Sequence, residues 1–149
     1  MNSINNSIFI NLNSFSNIEI LLISLFFLSV GSFCSSVIFR LAPENDLNLF
    51  KPRSFCPTCS KTIHIINLIP LLGFLIQKGK CKFCRTKISK LYPFSEIFFL
   101  LFGVLLIANY GISLTTIIYT IIILCFYVLF FLDYKYFYLP VSINIVLII

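Results

Sequence analysis

Charged residues are scarce in this sequence. They make up 11% of its 149 residues, against about 25% in an average soluble domain, while hydrophobic residues make up 59%. So few charges cannot cover a water-soluble surface, and a chain with so much apolar surface does not remain disordered in water. No internal repeat or low-complexity tract is present. The composition therefore predicts an integral membrane protein.

Basic residues are absent from the first 17 residues, which are rich in Asn and Ser. The apolar run that follows, residues 18–39, is about 33 Å long as a helix and can cross the bilayer core. A secretory signal peptide would instead begin with basic residues and would have a shorter apolar region and a cleavage site. We interpret residues 1–17 as an external tail and 18–39 as the first transmembrane helix.

The basic residues are concentrated in one segment. Ten of the eleven Lys and Arg lie between Arg40 and Lys90, opposed only by Glu44 and Asp46. A basic segment between apolar segments is typical of a cytoplasmic loop under the positive-inside rule. We therefore predict a cytoplasmic loop over 40–93, an outside N-terminus, and membrane lipids as the partner of these charges. Nothing here resembles a recognition helix or an RNA-binding platform, so no nucleic-acid partner is expected.

Two further apolar runs predict a membrane hairpin. Residues 94–110 and 115–132 are read as the second and third transmembrane helices, joined by a turn. Residues 133–149 return to the cytoplasm, and the nine that follow Pro140 make only about 14 Å of helix. The expected fold is an all-α integral membrane protein with three transmembrane helices and a truncated fourth.

A shorter apolar stretch lies within the basic loop, from Ile65 to Ile76. Asn67, Pro70 and Gly73 interrupt it, and it is too short to span a bilayer. It either packs in a small core of the loop or lies at the membrane interface.

Four cysteines of the loop form two CxxC pairs, Cys56 with Cys59 and Cys81 with Cys84, separated by 21 residues. Two close thiolate pairs suit tetrahedral Zn²⁺, although the separation slightly exceeds the usual range of about 15–20 residues. The alternatives are two disulfides or redox cysteines, and a cytosolic location disfavours disulfides. The pattern predicts a structural zinc site, closed to water, in a cytoplasmic four-cysteine zinc-binding loop.

Three other residues have side chains that can bind a metal ion, but none of them belongs to a metal-binding motif. Cys34 and Cys125 lie inside predicted helices and are interpreted as small apolar side chains in the core. His64 is the only histidine and is interpreted as a surface residue near the cysteines.

Two carboxylates lie at the edges of predicted spans. Asp133 at the end of the third helix is either a functional group, because a carboxylate bordering hydrocarbon is costly, or a helix-end residue paired with Lys135 among interfacial tyrosines. Glu96 lies near the start of the second helix, where the helix dipole favours an acid.

The ordered motifs of residues 31–140 resemble those of the type IV prepilin peptidases. Gly31-Ser32-Phe33 and Val37-Ile38-Phe39-Arg40 resemble the end of that family's first membrane helix. The remaining matches resemble its cysteine domain and first catalytic aspartate motif: Arg53 to Cys59, Ile69-Pro70, Gly79 to Cys84, Ile88-Ser89, Tyr92-Pro93 with Glu96, and Asp133 with Pro140.

The resemblance implies an aspartic peptidase of the bacterial inner membrane that removes the basic leader of prepilin-like proteins at the cytoplasmic face. Asp133 would be one of its catalytic residues. Many members also methylate the new N-terminus with S-adenosylmethionine. The family requires a second aspartate in a Gly-x-Gly-Asp motif, which these residues do not contain, and Val141 replaces the usual Asp or Asn after Pro140.

Aspartic peptidases divide two proton-transfer roles between paired carboxylates, so Asp133 alone cannot supply both. We therefore expect the N-terminal part of a prepilin peptidase, inactive alone, with the second aspartate on a continuation or a partner chain. One alternative is a non-catalytic membrane protein whose zinc loop serves interaction or assembly. Another is a homodimer in which each chain supplies Asp133.

Overall fold

This computed structural model describes residues 15–43 and 53–137. Three long helices dominate it: α1 (Asn17–Leu41), α3 (Leu91–Tyr110) and α4 (Leu114–Tyr136). Between α1 and α3 lie a 3₁₀ turn, Ile65–Leu68, and the short helix α2, Leu72–Ile76. The described ranges contain two isolated antiparallel bridges but no β-strand.

The three long helices are each long and apolar enough to cross a membrane. Their lengths of 25, 20 and 23 residues compare with the roughly 20 residues that span the hydrocarbon core. The prediction of an all-α membrane protein with three transmembrane helices is thereby confirmed. The predicted fourth helix and the external tail up to Ser14 lie outside the described residues.

Helix α1 begins with a capping box. The Ser16 hydroxyl accepts a hydrogen bond from the backbone N–H of Glu19 at 3.3 Å, and the Glu19 carboxylate accepts one from the Ser16 N–H at 2.7 Å. These bonds satisfy two backbone donors that the first turn cannot pair. At the other end Ala42 is extended, as expected for a residue that precedes a proline.

Helix α3 begins at Leu91, three residues before the predicted start at Phe94. Pro93 thus lies in its first turn, where a missing N–H costs nothing because no carbonyl precedes it within the helix. The proline that seemed to close the loop is part of the helix.

Helix α4 extends beyond the predicted end at Leu132. It begins after Ser113, whose hydroxyl accepts a hydrogen bond from the Thr116 N–H, and it ends at Tyr136 because Phe137 adopts a left-handed conformation. Asp133 therefore lies on the last turn of the helix and not in a following loop.

Helices α1 and α3 approach each other closely at Gly31. A Cβ atom there would lie 2.5 Å from the carbonyl oxygen of Ser95 and 2.6 Å from the Cα of Glu96. The Ser35 hydroxyl bonds that of Ser95 across the same contact. Small residues let membrane helices approach until their backbones touch and van der Waals contacts are maximal.

The core of the bundle lies towards one end, where α1 and α4 finish and α3 begins. It combines one cysteine with large apolar side chains from all three helices: Cys34, Ile38, Phe99, Tyr127, Val128 and Leu132. Leu41, Leu91 and Tyr136 pack against it. This packing brings the three helix ends that border the cysteine loop and Asp133 to one side of the molecule.

Candidate functional site

The two CxxC segments fold into turns of the same geometry. In the first, the Cys56 carbonyl accepts from the Ser60 N–H at 2.8 Å, and the Cys56 N–H donates to the Lys61 carbonyl at 3.0 Å. In the second, Cys81 makes the corresponding bonds with Arg85 and Thr86, at 3.0 and 2.8 Å. The two turns are therefore related by an internal pseudo-symmetry.

Each turn contains one non-glycine residue with positive φ, Ser60 at 54° and Arg85 at 58°. This conformation costs L-residues roughly 1 kcal/mol or more. Each turn is closed by an antiparallel bridge, Phe55 with Thr62 and Lys80 with Lys87. The left-handed residue at the same position therefore gives the two turns the same backbone shape.

The two turns bring the four predicted cysteines together. The Sγ atoms of Cys56, Cys59, Cys81 and Cys84 all lie within 4.8 Å of one another. The Sγ atoms of Cys56 and Cys84 are 3.7 Å apart, and a tetrahedral Zn²⁺ with bonds of about 2.3 Å would place its sulfurs about 3.8 Å apart. The cluster could therefore hold a zinc ion with little rearrangement.

Hydrogen bonds to the sulfurs separate the thiols by acidity. The hydroxyl and the backbone N–H of Thr86 lower the pKa of Cys84 to about 6. The Lys61 N–H lowers the pKa of Cys59, but desolvation and the three neighbouring thiols outweigh it and raise this pKa to about 11. Crowded thiols resist losing all their protons together, and a bound divalent cation removes that obstacle.

The remaining candidate ligands do not join this cluster. Cys34 and Cys125 are buried among the helices, in agreement with their interpretation as core side chains. His64 is exposed and immediately precedes the 3₁₀ turn. The metal-ligand cluster found in the described part of the chain consists of the four loop cysteines and does not include His64.

Asp133 is exposed on the last turn of α4. Its backbone carbonyl accepts from the Phe137 N–H at 2.9 Å. Lys135, the partner considered from the sequence, donates instead to the Tyr136 hydroxyl at 2.9 Å. Glu44, Asp46 and Pro140 lie outside the described residues, so the catalytic role of Asp133 stays a prediction.

Glu96 has a tertiary contact that the sequence did not reveal. It is 4% exposed, and its Oε2 accepts a 2.7 Å hydrogen bond from the backbone N–H of Leu71. Ser32 of α1 also faces this carboxyl group. Glu96 thus joins the cysteine loop to the bundle, whereas the helix dipole had been the expected reason for an acid there. The joint presence of Ile69-Pro70 and Glu96 among the family-like motifs was the available signal.

Leu71 itself is held in a rare conformation. Its φ of 58° and ψ of −50°, with a 2.6 Å hydrogen bond from the Leu72 N–H to the Pro70 carbonyl, define a γ-turn with positive φ, which is uncommon and strained. The turn leaves the Leu71 N–H free of backbone partners and directs it to Glu96.

Comparison with known proteins gives a consistent result. A prepilin leader peptidase/N-methyltransferase of Bacillus subtilis is 44% identical over 73 residues, covering 49% of this chain and 29% of that protein. A type 4 prepilin-like proteins leader peptide-processing enzyme of Escherichia coli is 38% identical over 86 residues, covering 47% and 32%. A prepilin leader peptidase/N-methyltransferase of Neisseria gonorrhoeae is 35% identical over 144 residues, covering 81% and 50%.

The chain spans between about a third and a half of the length of these relatives. No solved structure matches it. The model of the bacterial peptidase A24 N-terminal domain matches residues 25–110, more than half of the chain, and this range includes the cysteine cluster, Gly31 and Glu96. The chain therefore belongs to the family of the bacterial peptidase A24 N-terminal domain, the N-terminal part of the type IV prepilin peptidases.

Proposed function

We propose that this chain is the N-terminal part of a prepilin leader peptidase, which cleaves basic leader peptides from type IV pilin-like proteins at the cytoplasmic face of the bacterial inner membrane. The observation that carries the proposal is the family match over residues 25–110. Relatives that match this chain are named for the same activity. Prepilin-like proteins are accordingly its proposed substrates.

The orientation follows from the charge distribution. Ten of eleven basic residues lie between the end of α1 and the start of α3, which favours a cytoplasmic loop and an outside N-terminus. In this orientation the same face carries the cysteine cluster and Asp133, because α4 returns to the side on which α3 begins.

We assign Asp133 as one of two catalytic carboxylates. In an aspartic peptidase an ionised carboxylate takes a proton from the attacking water while a protonated one donates a hydrogen bond to the scissile carbonyl. Asp133 is exposed at the end of α4, where a substrate strand and a second carboxylate can approach. The second aspartate would come from a continuation of the chain or from a partner, since Gly-x-Gly-Asp does not occur in these residues.

The four cysteines are proposed to hold one structural Zn²⁺. Their chemistry and spacing fit the ion, as the 3.7 Å distance between two sulfurs indicates. When bound, zinc would supply the cross-link that holds the two turns together. Four protein thiolates complete a tetrahedral shell and leave no position for a water molecule, so the site stabilises the loop and takes no part in hydrolysis.

Two clefts of the described bundle have a lining that does not suit S-adenosylmethionine. Two clefts of about 450 and 350 Å³ lie between the membrane helices and are lined mainly by apolar side chains. Neither cleft is lined by a charged side chain, and their hydroxyl-bearing residues are Ser113, Thr116, Thr120 and Tyr127, whereas the sulfonium and amino acid groups of this cofactor call for charged partners. We therefore propose neither of these two clefts as the methyl-donor site.

Processing of a prepilin in cells tests the peptidase proposal. The complete reading frame, with any continuation or partner that carries Gly-x-Gly-Asp, would be expressed with a prepilin-like protein in a host that lacks its own peptidase. Removal of the leader is measured by mass spectrometry. Asp133→Asn should abolish processing. Glu19→Gln should leave it unchanged, because Glu19 lies in the first turn of α1, at the end of the bundle away from Asp133.

If the Asp133→Asn variant processed the prepilin at the wild-type rate, the catalytic assignment would be contradicted. That result would favour the alternative of a non-catalytic membrane protein whose zinc loop serves interaction or assembly. The nucleotide sequence beyond codon 149 provides a second test. If neither a continuation nor a separate gene supplied Gly-x-Gly-Asp, the proposal of a split or longer peptidase would fail.

Elemental analysis tests the metal assignment. The detergent-purified chain should contain one zinc per molecule, and Cys84→Ala should lose most of it. Cys125→Ala is the matched control, because this cysteine is buried between helices and should leave the zinc content unchanged. Zinc-free protein with all thiols reduced would refute the assignment.

A further inference from the structure

The segment Ile65–Ile76, which we name the apolar hairpin, exposes an unusual amount of apolar surface. It comprises the 3₁₀ turn and α2, joined by the γ-turn at Leu71. No charged residue occurs between Ile65 and Gln77. Its exposed large side chains are Ile65, Ile66, Leu68, Ile69, Leu72, Leu75 and Ile76. A contiguous apolar surface of this kind marks a site of contact with a membrane or another protein.

The γ-turn of the hairpin is fixed beside the membrane helices and not beyond their ends. Its γ-turn bonds Glu96, which lies five residues, or about 7.5 Å, into α3. Glu96 in turn touches Gly31, ten residues or about 15 Å from the end of α1. The turn at Leu71 is therefore held within the depth that these helices span.

Many backbone N–H groups of the hairpin are hydrogen-bonded. Irregular backbone is tolerated within a membrane only where its polar groups are paired. The N–H groups at the turns donate inside the segment, to the adjacent His64 carbonyl or to Glu96: Asn67 to His64, Ile69 to Ile66, Leu71 to Glu96, Leu72 to Pro70, Gly73 to Ile69 and Leu75 to Leu71. The Gln77 side chain also donates to the Asn67 and Gly73 carbonyls.

The charges next to the hairpin suit the border between lipid tails and headgroups. Lys78, Lys80 and Lys82 follow it directly and are exposed. Long basic side chains at such a border extend to the headgroups, and anionic lipids attract them.

We propose that the apolar hairpin is a membrane-inserted element whose exposed side chains contact the acyl chains of the leaflet that faces the cysteine loop. It would hold the cysteine cluster against the membrane surface, a role that is independent of the peptidase assignment. The occupant of this surface is lipid. A second protein copy or another segment of a longer chain is an outcome that the test distinguishes.

Tryptophan fluorescence with brominated lipids tests the proposal, because the sequence contains no tryptophan. A single tryptophan is introduced by Leu75→Trp, at a site 66% exposed, and the protein is reconstituted in phosphatidylcholine and phosphatidylglycerol vesicles. Bromine on the acyl chains quenches tryptophans that touch them. Leu105→Trp, on the outer face of α3, is the positive control, and Phe83→Trp, on the second cysteine turn, is the negative control.

Quenching of Leu75→Trp close to that of Leu105→Trp supports the proposal. Quenching no greater than that of Phe83→Trp would overturn it, and so would unquenched, blue-shifted emission, which would show that protein covers the hairpin. Ile66→Trp, 65% exposed on the 3₁₀ turn, gives an independent reading if Leu75→Trp does not fold.

Discussion

Replacing Glu96 with leucine should release the apolar hairpin while leaving the helix bundle intact. The Glu96 carboxyl group accepts the Leu71 N–H at 2.7 Å and is the contact that directs this N–H away from water. Leucine is similar in size and favours a membrane helix, so α3 should form normally. The variant therefore removes the bond to Leu71 together with the contact to Ser32.

The expected magnitude follows from the lost hydrogen bond, because the backbone strain at Leu71 is present in both the native protein and the variant. A donor left without a partner after such a substitution costs about 1–3 kcal/mol. The strained backbone at Leu71, with φ of 58°, costs roughly 1–3 kcal/mol on its own, so the native hydrogen bond offsets a strain of similar size. Losing the bond should raise the population of the open hairpin about 5- to 150-fold.

Hydrogen exchange measured by mass spectrometry checks this prediction. Peptides that cover residues 69–76 should exchange faster by that factor in Glu96→Leu, whereas peptides from α4 should not change. Glu96→Gln is the matched control, because its amide oxygen can still accept from Leu71 and should preserve most of the protection. Unchanged exchange over 69–76 in Glu96→Leu would refute the role assigned to this hydrogen bond.

Three other perturbations test the packing and the metal loop. Gly31→Leu should lower the unfolding free energy in detergent titrations by about 1–3 kcal/mol, because its Cβ meets the α3 backbone; Ser29→Ala, on the exposed face, should change it by less than about 0.5 kcal/mol. Phe99→Ala, fully buried, should cost about 1–3 kcal/mol, less than in a soluble core because separated helices keep apolar side chains in lipid. Leu101→Ala, 60% exposed, should cost little, and equal losses for both would contradict the described core. Removing the metal with a chelator should speed hydrogen exchange over residues 53–90 but not in the long helices, and unaltered exchange there would exclude a structural metal.

The sequence was sufficient to predict the three membrane helices, because an apolar run of this length in a bilayer has few stable structures other than a helix. It was less reliable at their ends. Pro93 suggested a loop although a proline fits the first turn of a helix, and Asp133 suggested an exit from the helix although α4 continues to Tyr136. Charge and proline identify where a helix can end, while local hydrogen bonds decide where it does end.

The cysteine pattern predicted which four residues come together, but it did not predict how. The matched turns depend on backbone bonds from Cys56 and Cys81 and on left-handed residues at Ser60 and Arg85. Neither residue is a glycine or an asparagine, so no turn signal marked these positions. The stability of the whole cluster maintains a conformation that neither residue prefers.

By itself the sequence determined that this is a membrane protein, how many apolar helices it has and which four cysteines cluster. Hydropathy and ligand chemistry are properties of single residues and short segments, so they can be read without the tertiary structure. Only the tertiary structure decided what Glu96 does and where the apolar hairpin lies. Both depend on one contact between Leu71 and Glu96, 25 residues apart. A hydrogen bond between a strained backbone N–H and a distant side chain leaves no periodic pattern, so it becomes visible only when α1, α3 and the loop are packed together.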